Sequence, residues 1–145
     1  MSTNPVDDCH LSTTFDPGPL VRVSNGLWDN VIALEKRWFD SPVEQSCAIM
    51  RQRENGIWQL GFNEVGTRHA VLFATKSIFQ HLLERDCDAL ILSHYHPDGG
   101  TQPSRQDIHV TRSIAYACEL IDVELVDHII FGTGPPYSFR GDRRL

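Results

Sequence analysis

Hydrophobic positions recur along this chain with two different periods. Leu27, Val31, Leu34 and Trp38 step by four, three and four residues, the spacing of one helical face. That helix is expected to end near Asp40, because Pro42 follows. The period then shortens. Glu44 to Arg51, with Cys47-Ala48-Ile49-Met50 as its apolar middle, predicts a strand, and Asn55-Gly56 predicts the tight turn that folds Ile57 to Phe62 back onto it. A second turn around Asn63 to Gly66 leads to a third strand, Arg68 to Phe73. Thr75 is placed to cap a helix whose core face is Ile78, Phe79, Leu82 and Leu83. Asp88 to His96 follows as a strand, and its run Ala89-Leu90-Ile91-Leu92 predicts cover on both faces. Residues 97–103 form a Pro/Gly loop. Ser104 begins a helix that reaches Asp122, with Ile108, Thr111, Ala115 and Cys118 on one side. Val123 to Phe131 is the next strand, and Gly132 to Pro136 turns the chain into a short final one. Trp28, Trp38 and Trp58 fall on apolar faces and read as core.

Strands and helices are thus interleaved without strict alternation, which predicts an α/β domain with a mixed β-sheet packed between helices. Residues 1–25, rich in Ser, Thr, Asp and Pro, read as an irregular leader; residues 26–140 are the domain, and 141–145 a basic tail. At 145 residues the chain suits one core that needs no disulfide or structural metal. Its four cysteines include no Cys-x-x-Cys pair, so reduced thiols are expected. Met1 to His10 carries Asp7 and Asp8 without an apolar centre, unlike a secretory signal, and a cytoplasmic location is expected. The apolar runs are too short for a membrane span. A net charge of −6 argues against a nucleic-acid partner.

The chemistry concentrates where the most apolar strand ends, at His94-Tyr95-His96-Pro97. Alternation along a strand turns His94 and His96 to one face and Tyr95 to the other, so two imidazoles can share one divalent ion. Alone this is weak, since seven histidines in 145 residues yield a His-x-His by chance in roughly one such chain in three. Ser104 and Asp107 at the start of the next helix strengthen it. Ser104-Arg105-Gln106-Asp107 also reads as a helix-capping box, with Asp107 favoured by the helix dipole. Capping and metal binding are compatible, and two His with one Asp leave a zinc ion its usual open position. Mn²⁺, Fe²⁺ or Co²⁺ could take the same ligands.

His-x-His, seven residues, then Ser-x-x-Asp resembles the JAMM (MPN-plus) motif of zinc peptidases and isopeptidases. The stretch from Ala89 to Asp107 resembles the RadC-like branch of the JAB superfamily, and Thr111-Arg112, Asp127-His128-Ile129-Ile130 and Tyr137-Ser138 fall where that branch has them. The resemblance covers roughly residues 27–140 and is most specific over 89–131. It implies a single JAB/MPN-like domain with cytidine-deaminase-like layering, and one Zn²⁺ on His94, His96 and Asp107. Tyr95 and Asp98 replace the Asn and Ser usual in the branch; neither is a ligand position. Longer members carry an N-terminal helix-hairpin-helix region for which this chain has no room, which weakens the expectation of DNA contact further.

The resemblance also implies an upstream Glu as general base at the opening of the first strand. Glu44 stands there, fifty residues before His94, with Glu64 as its rival and a plain strand-start carboxylate as the bland alternative. Ser104 would hydrogen-bond the attacking water or the developing oxyanion. The implied activity is hydrolysis of an amide bond in a peptide or protein substrate, by a zinc-activated water with Glu44 carrying its proton. A non-catalytic MPN-like binding module is the alternative, and a DNA-associated role a more distant one. His109 reads as a solvated helix residue and His128 as a hydrogen-bonded structural histidine, each with a supporting place beside the metal as the alternative. Oligomeric state is open.

Overall fold

The computed structural model describes residues 42–65, 75–97 and 99–145. Its elements in chain order are β1 (Gln45–Gln52), β2 (Trp58–Val65), α1 (Thr75–Glu84), β3 (Cys87–Tyr95), α2 (Arg105–Leu120), β4 (Glu124–Phe131) and β5 (Tyr137–Ser138). The predicted first helix (Leu27 to Asp40) and third strand (Arg68 to Phe73) lie outside the described residues, as do Trp28 and Trp38.

The strands form a mixed sheet in the order β2-β1-β3-β4-β5. β1 is antiparallel to both β2 and β3, β3 and β4 are parallel, and β5 returns antiparallel on β4. A parallel step needs a long crossover, and α2 supplies it. This is the α/β architecture expected from the interleaved pattern.

The Asn55-Gly56 signal produces the β1–β2 hairpin. Asn55 accepts from the Ile57 amide through its side chain (2.9 Å), and Gly56 takes φ +70°, which a side chain would strain. β2 corrects the expectation at its far end. Asn63 to Val65 continue the strand instead of turning, because Cys47, Ser46 and Gln45 of β1 offer them ladder partners, with a register shift at Ala48/Ile49 absorbing the mismatch. Glu64 is therefore a strand residue opposite Ser46, not part of a turn.

β3 lies in the middle, and all its residues except Asp88 are buried. One face packs against both described helices: Ala48, Met50, Leu90, Leu92 and Leu125 of the sheet meet Ile78 and Leu82 of α1 and Ile114 and Cys118 of α2. Each Leu or Ile so buried contributes about 1.5–3 kcal/mol. The opposite face, with Ile49 and Ile91, is equally buried, as the unbroken apolar run predicted. Trp58 is core as expected. Leu83 is not; it is 64% exposed, because Ile78 and Leu82 define the face of α1 that meets the sheet. In α2 the buried positions are Thr111, Ile114 and Cys118, so the stripe is rotated slightly from the expected one, leaving Ile108 and Ala115 half-buried. Among the described residues no helix is long and apolar enough to cross a membrane.

Candidate metal centre

The site is assembled by the β3–α2–β4 crossover. Leu90 and Leu92 face α2, so strand alternation turns His94 to the same side. His96 follows one residue past the strand end, its amide still bonded to the Phe131 carbonyl of β4 (2.8 Å). The returning helix starts beside these histidines. Its first turn is set by the expected capping box: the Asp107 amide donates to Ser104 Oγ (3.0 Å), and the Ser104 amide donates to Asp107 Oδ2 (2.7 Å). The cap that starts the helix thereby orients the carboxylate towards the strand end.

His94, His96 and Asp107 converge with one ligand atom each. His94 Nε2 is 2.8 Å from His96 Nε2 and 3.3 Å from Asp107 Oδ1, and His96 Nε2 is 3.5 Å from Asp107 Oδ2. Metal–donor bonds of about 2.0–2.1 Å in a tetrahedron hold donors roughly 3.3 Å apart. His94 Nε2 and Asp107 Oδ1 already stand at that edge, the imidazoles need to part by only about half an ångström, and one ligand atom from each residue lies within 4.8 Å of the others. Donor chemistry agrees. His96 Nδ1 lies 2.9 Å from the Gly100 carbonyl, which can only accept, so Nδ1 holds the ring proton and neutral His96 turns the Nε2 lone pair inward. These residues can hold a metal ion.

The electrostatics of the cluster point to the same demand for positive charge. Burial alone would lower the pKa of His96, yet hydrogen bonds to Asp107 and Gly100 and the charges of Asp107 and Glu44 outweigh it and raise the value. Burial pushes Asp107 the other way, but its contacts with His94, His96 and the Ser104 amide hold its carboxyl far below the usual range. His94, wholly buried, is depressed by desolvation despite Asp107. The cluster thus keeps an anionic carboxylate against two imidazoles, one of them denied a charge of its own.

Glu44 sits half-buried immediately before β1. The β1–β3 register pairs Gln45 with Tyr95, so Glu44 stands level with His96 and close enough for its charge to act on that imidazole. Ser104 is exposed at the helix start; its Oγ accepts the capping bond, which leaves its hydroxyl proton for another acceptor. His109 is exposed, as the bland reading had it.

Two residues read mainly as structural stand against the cluster. His128 of β4 is wholly buried, and its Nε2 is 2.7 Å from His94 Nδ1. Its Nδ1 is 2.6 Å from Thr111 Oγ1, and Thr111 in turn donates to the Asp107 carbonyl (2.5 Å). Phe139 stacks on the His128 ring at 4.9 Å with 5° between planes. Burial, followed by repulsion from His94, lowers the His128 pKa strongly. Only a partial signal was in the sequence: His128, beside Asp127 and ahead of Ile129 to Phe131, must find partners, and Thr111 is one helical turn from Asp107.

Fold and site together define an α/β domain of the JAB type with a strand end whose residues could hold a metal ion. The chain belongs to the RadC-like JAB domain family, whose model matches residues 27–144. Similar proteins include a UPF0758 protein of Legionella pneumophila (strain Lens), 30% identical over 94% of this chain and 60% of its own length. Others come from Symbiobacterium thermophilum (34% identical; 90% and 56%) and Chlorobium phaeovibrioides (37% identical; 86% and 56%). The chain thus spans less than two thirds of the curated relatives it matches, and their names state no activity.

Proposed function

We propose that this protein is a cytoplasmic zinc-dependent metallopeptidase or isopeptidase that hydrolyses an amide bond in a peptide or protein substrate. The observation that carries the reading is the convergence of two imidazole nitrogens and a carboxylate on one point beside an accessible helix start. His94, His96 and Asp107 would hold a zinc ion, which would supply an acidified water and a Lewis acid for the scissile carbonyl. Glu44, level with His96, would take the proton of the attacking water and return it to the leaving amine. Ser104 donates the hydroxyl proton that its capping bond does not use to the oxygen that becomes negative as the carbonyl is attacked. Asp107 stays ionised throughout.

Elemental analysis of protein purified without chelator or His-tag tests the reading, beside an Asp107→Ala control and followed by peptide-library cleavage with Glu44→Gln as the inactive variant. About one zinc per chain, lost in Asp107→Ala, with cleavage that needs Glu44, is the expected result. Metal without any cleavage points to the MPN-like binding module, and no metal after zinc is added back overturns the reading.

A further inference from the structure

We propose that His128 and Thr111 form a positioning relay that locks His94 in the tautomer protonated at Nδ1, so that its Nε2 lone pair faces the metal position. The inference rests on the zinc reading for its purpose, and on hydrogen-bond accounting for its direction. Thr111 Oγ1 has one proton and two close neighbours, the Asp107 carbonyl at 2.5 Å and His128 Nδ1 at 2.6 Å. The carbonyl can only accept, so the hydroxyl proton goes to it and His128 Nδ1 must be the donor to Thr111. A neutral His128 then has a bare Nε2, which accepts from His94 Nδ1 at 2.7 Å. His94 Nε2 is left unprotonated, 3.3 Å from Asp107 Oδ1 and 2.8 Å from His96 Nε2.

The relay therefore starts and ends on Asp107. That residue's carbonyl anchors the chain of donors, and its carboxylate stands at the far end as a ligand beside His94. A shift of α2 along its axis moves both ends together, which keeps carboxylate and imidazole in step. The His128 ring is also packed in place, since Phe139 lies parallel on it at 4.9 Å. His96 has its own device in the Gly100 carbonyl, which fixes a proton on Nδ1 and makes Nε2 the nitrogen that yields its proton to a cation.

Long-range ¹⁵N–¹H correlation spectra of ¹⁵N-histidine-labelled, metal-free protein read the tautomer directly. The wild type is expected to show His94 protonated at Nδ1, and Thr111→Val, which keeps the shape but removes the hydroxyl, is expected to show loss of that single form. Cobalt(II) affinity, read by competition with a chromophoric chelator, should fall about 10–100-fold in Thr111→Val and in His128→Phe. His128→Gln should recover most of it, because the amide oxygen accepts from His94 Nδ1; a purely packing role for His128 predicts no such recovery. If His128→Phe does not fold, Thr111→Val carries the test alone. A wild-type His94 protonated at Nε2, or unchanged cobalt affinity in a folded Thr111→Val, overturns the relay and leaves the zinc reading standing. The expected tautomer in a wild type that binds no cobalt or zinc overturns the zinc reading and the relay's purpose with it.

Discussion

Gln45 pairs with Tyr95 across the antiparallel β1–β3 ladder, and that one register sets Glu44 level with His96. A carboxylate fifty residues upstream is thereby delivered to the strand end by pairing alone, and the proposed function makes it the base. Glu44→Gln should keep the fold and the metal, since it keeps the shape and is not a ligand. Amide turnover should fall by about 10²–10⁴. Equal turnover in the variant, with metal content matched, would contradict the role given to Glu44.

The observed capping role of Ser104 and its proposed oxyanion role can be separated. Ser104→Ala removes the acceptor of the helix cap and should lower stability by about 1 kcal/mol, a few degrees in melting temperature for a domain of this size. Turnover should fall too. Ser104→Asp can restore the cap through its carboxylate but has no proton to give an oxyanion. Thermal stability should therefore return without activity, and recovery of both would show that Ser104 acts only as a cap.

Much of this was legible in the sequence because it is local. The His-x-His alternation, the Ser-x-x-Asp cap and the Asn-Gly turn each need only neighbouring residues to state their geometry. The end of β2 was not, since Asn63 to Val65 are held straight by Cys47 to Gln45, some sixteen to twenty residues away. Helical spacing puts Leu83 beside Ile78, Phe79 and Leu82, but a helix face is decided by what lies opposite, and Ile78 and Leu82 already fill that contact. The role of His128 was hidden for the same reason: its partners come from β3 and α2, not from its own strand.

Gly132 keeps the histidine loop in place. A Cβ there would lie 2.4 Å from the Gly99 carbonyl oxygen, which itself accepts from the Thr133 amide at 2.7 Å. Gly132→Ala should push residues 99–101 away, take the Gly100 carbonyl from His96 Nδ1 and weaken metal binding. Gly100→Ala, which meets nothing within 4 Å, is the matched control and should bind as the wild type does. Chelator competition on both variants checks this, and equal affinities would show the loop to be compliant.

Removing the metal should be felt by the fold, because Asp107 both caps α2 and serves the cluster. At free zinc a hundredfold above the dissociation constant, binding adds about 2.7 kcal/mol, or roughly 5–10 °C for a domain near 150 residues. Differential scanning calorimetry with and without chelator should show that drop in the wild type and none in Asp107→Ala. Identical drops would place the chelator's effect elsewhere.

Burial pushes the Cys118 thiol up to about 12, and the side chain is inaccessible. Thiolate is the reactive form, so at pH 8 only about one molecule in ten thousand carries it there. Raising the pH to 9 multiplies that by about ten and still leaves the group inert. Native protein treated with iodoacetamide at either pH should show Cys118 unlabelled by peptide mass spectrometry, with full labelling in denaturant. Prompt labelling of the native form would mean that α2 leaves the sheet readily.

β5 is only two residues long, yet the border of the sheet does not stop with it. Arg140, just past it, bonds through its guanidinium to the Val126 and Leu125 carbonyls and to Glu124, while Asp127 accepts its amide. A planar side chain thus occupies main-chain acceptors that a longer strand would have covered. The boundary is finished by a charged group that a second polypeptide cannot extend, so templated strand addition is blocked along this margin without the length of another strand.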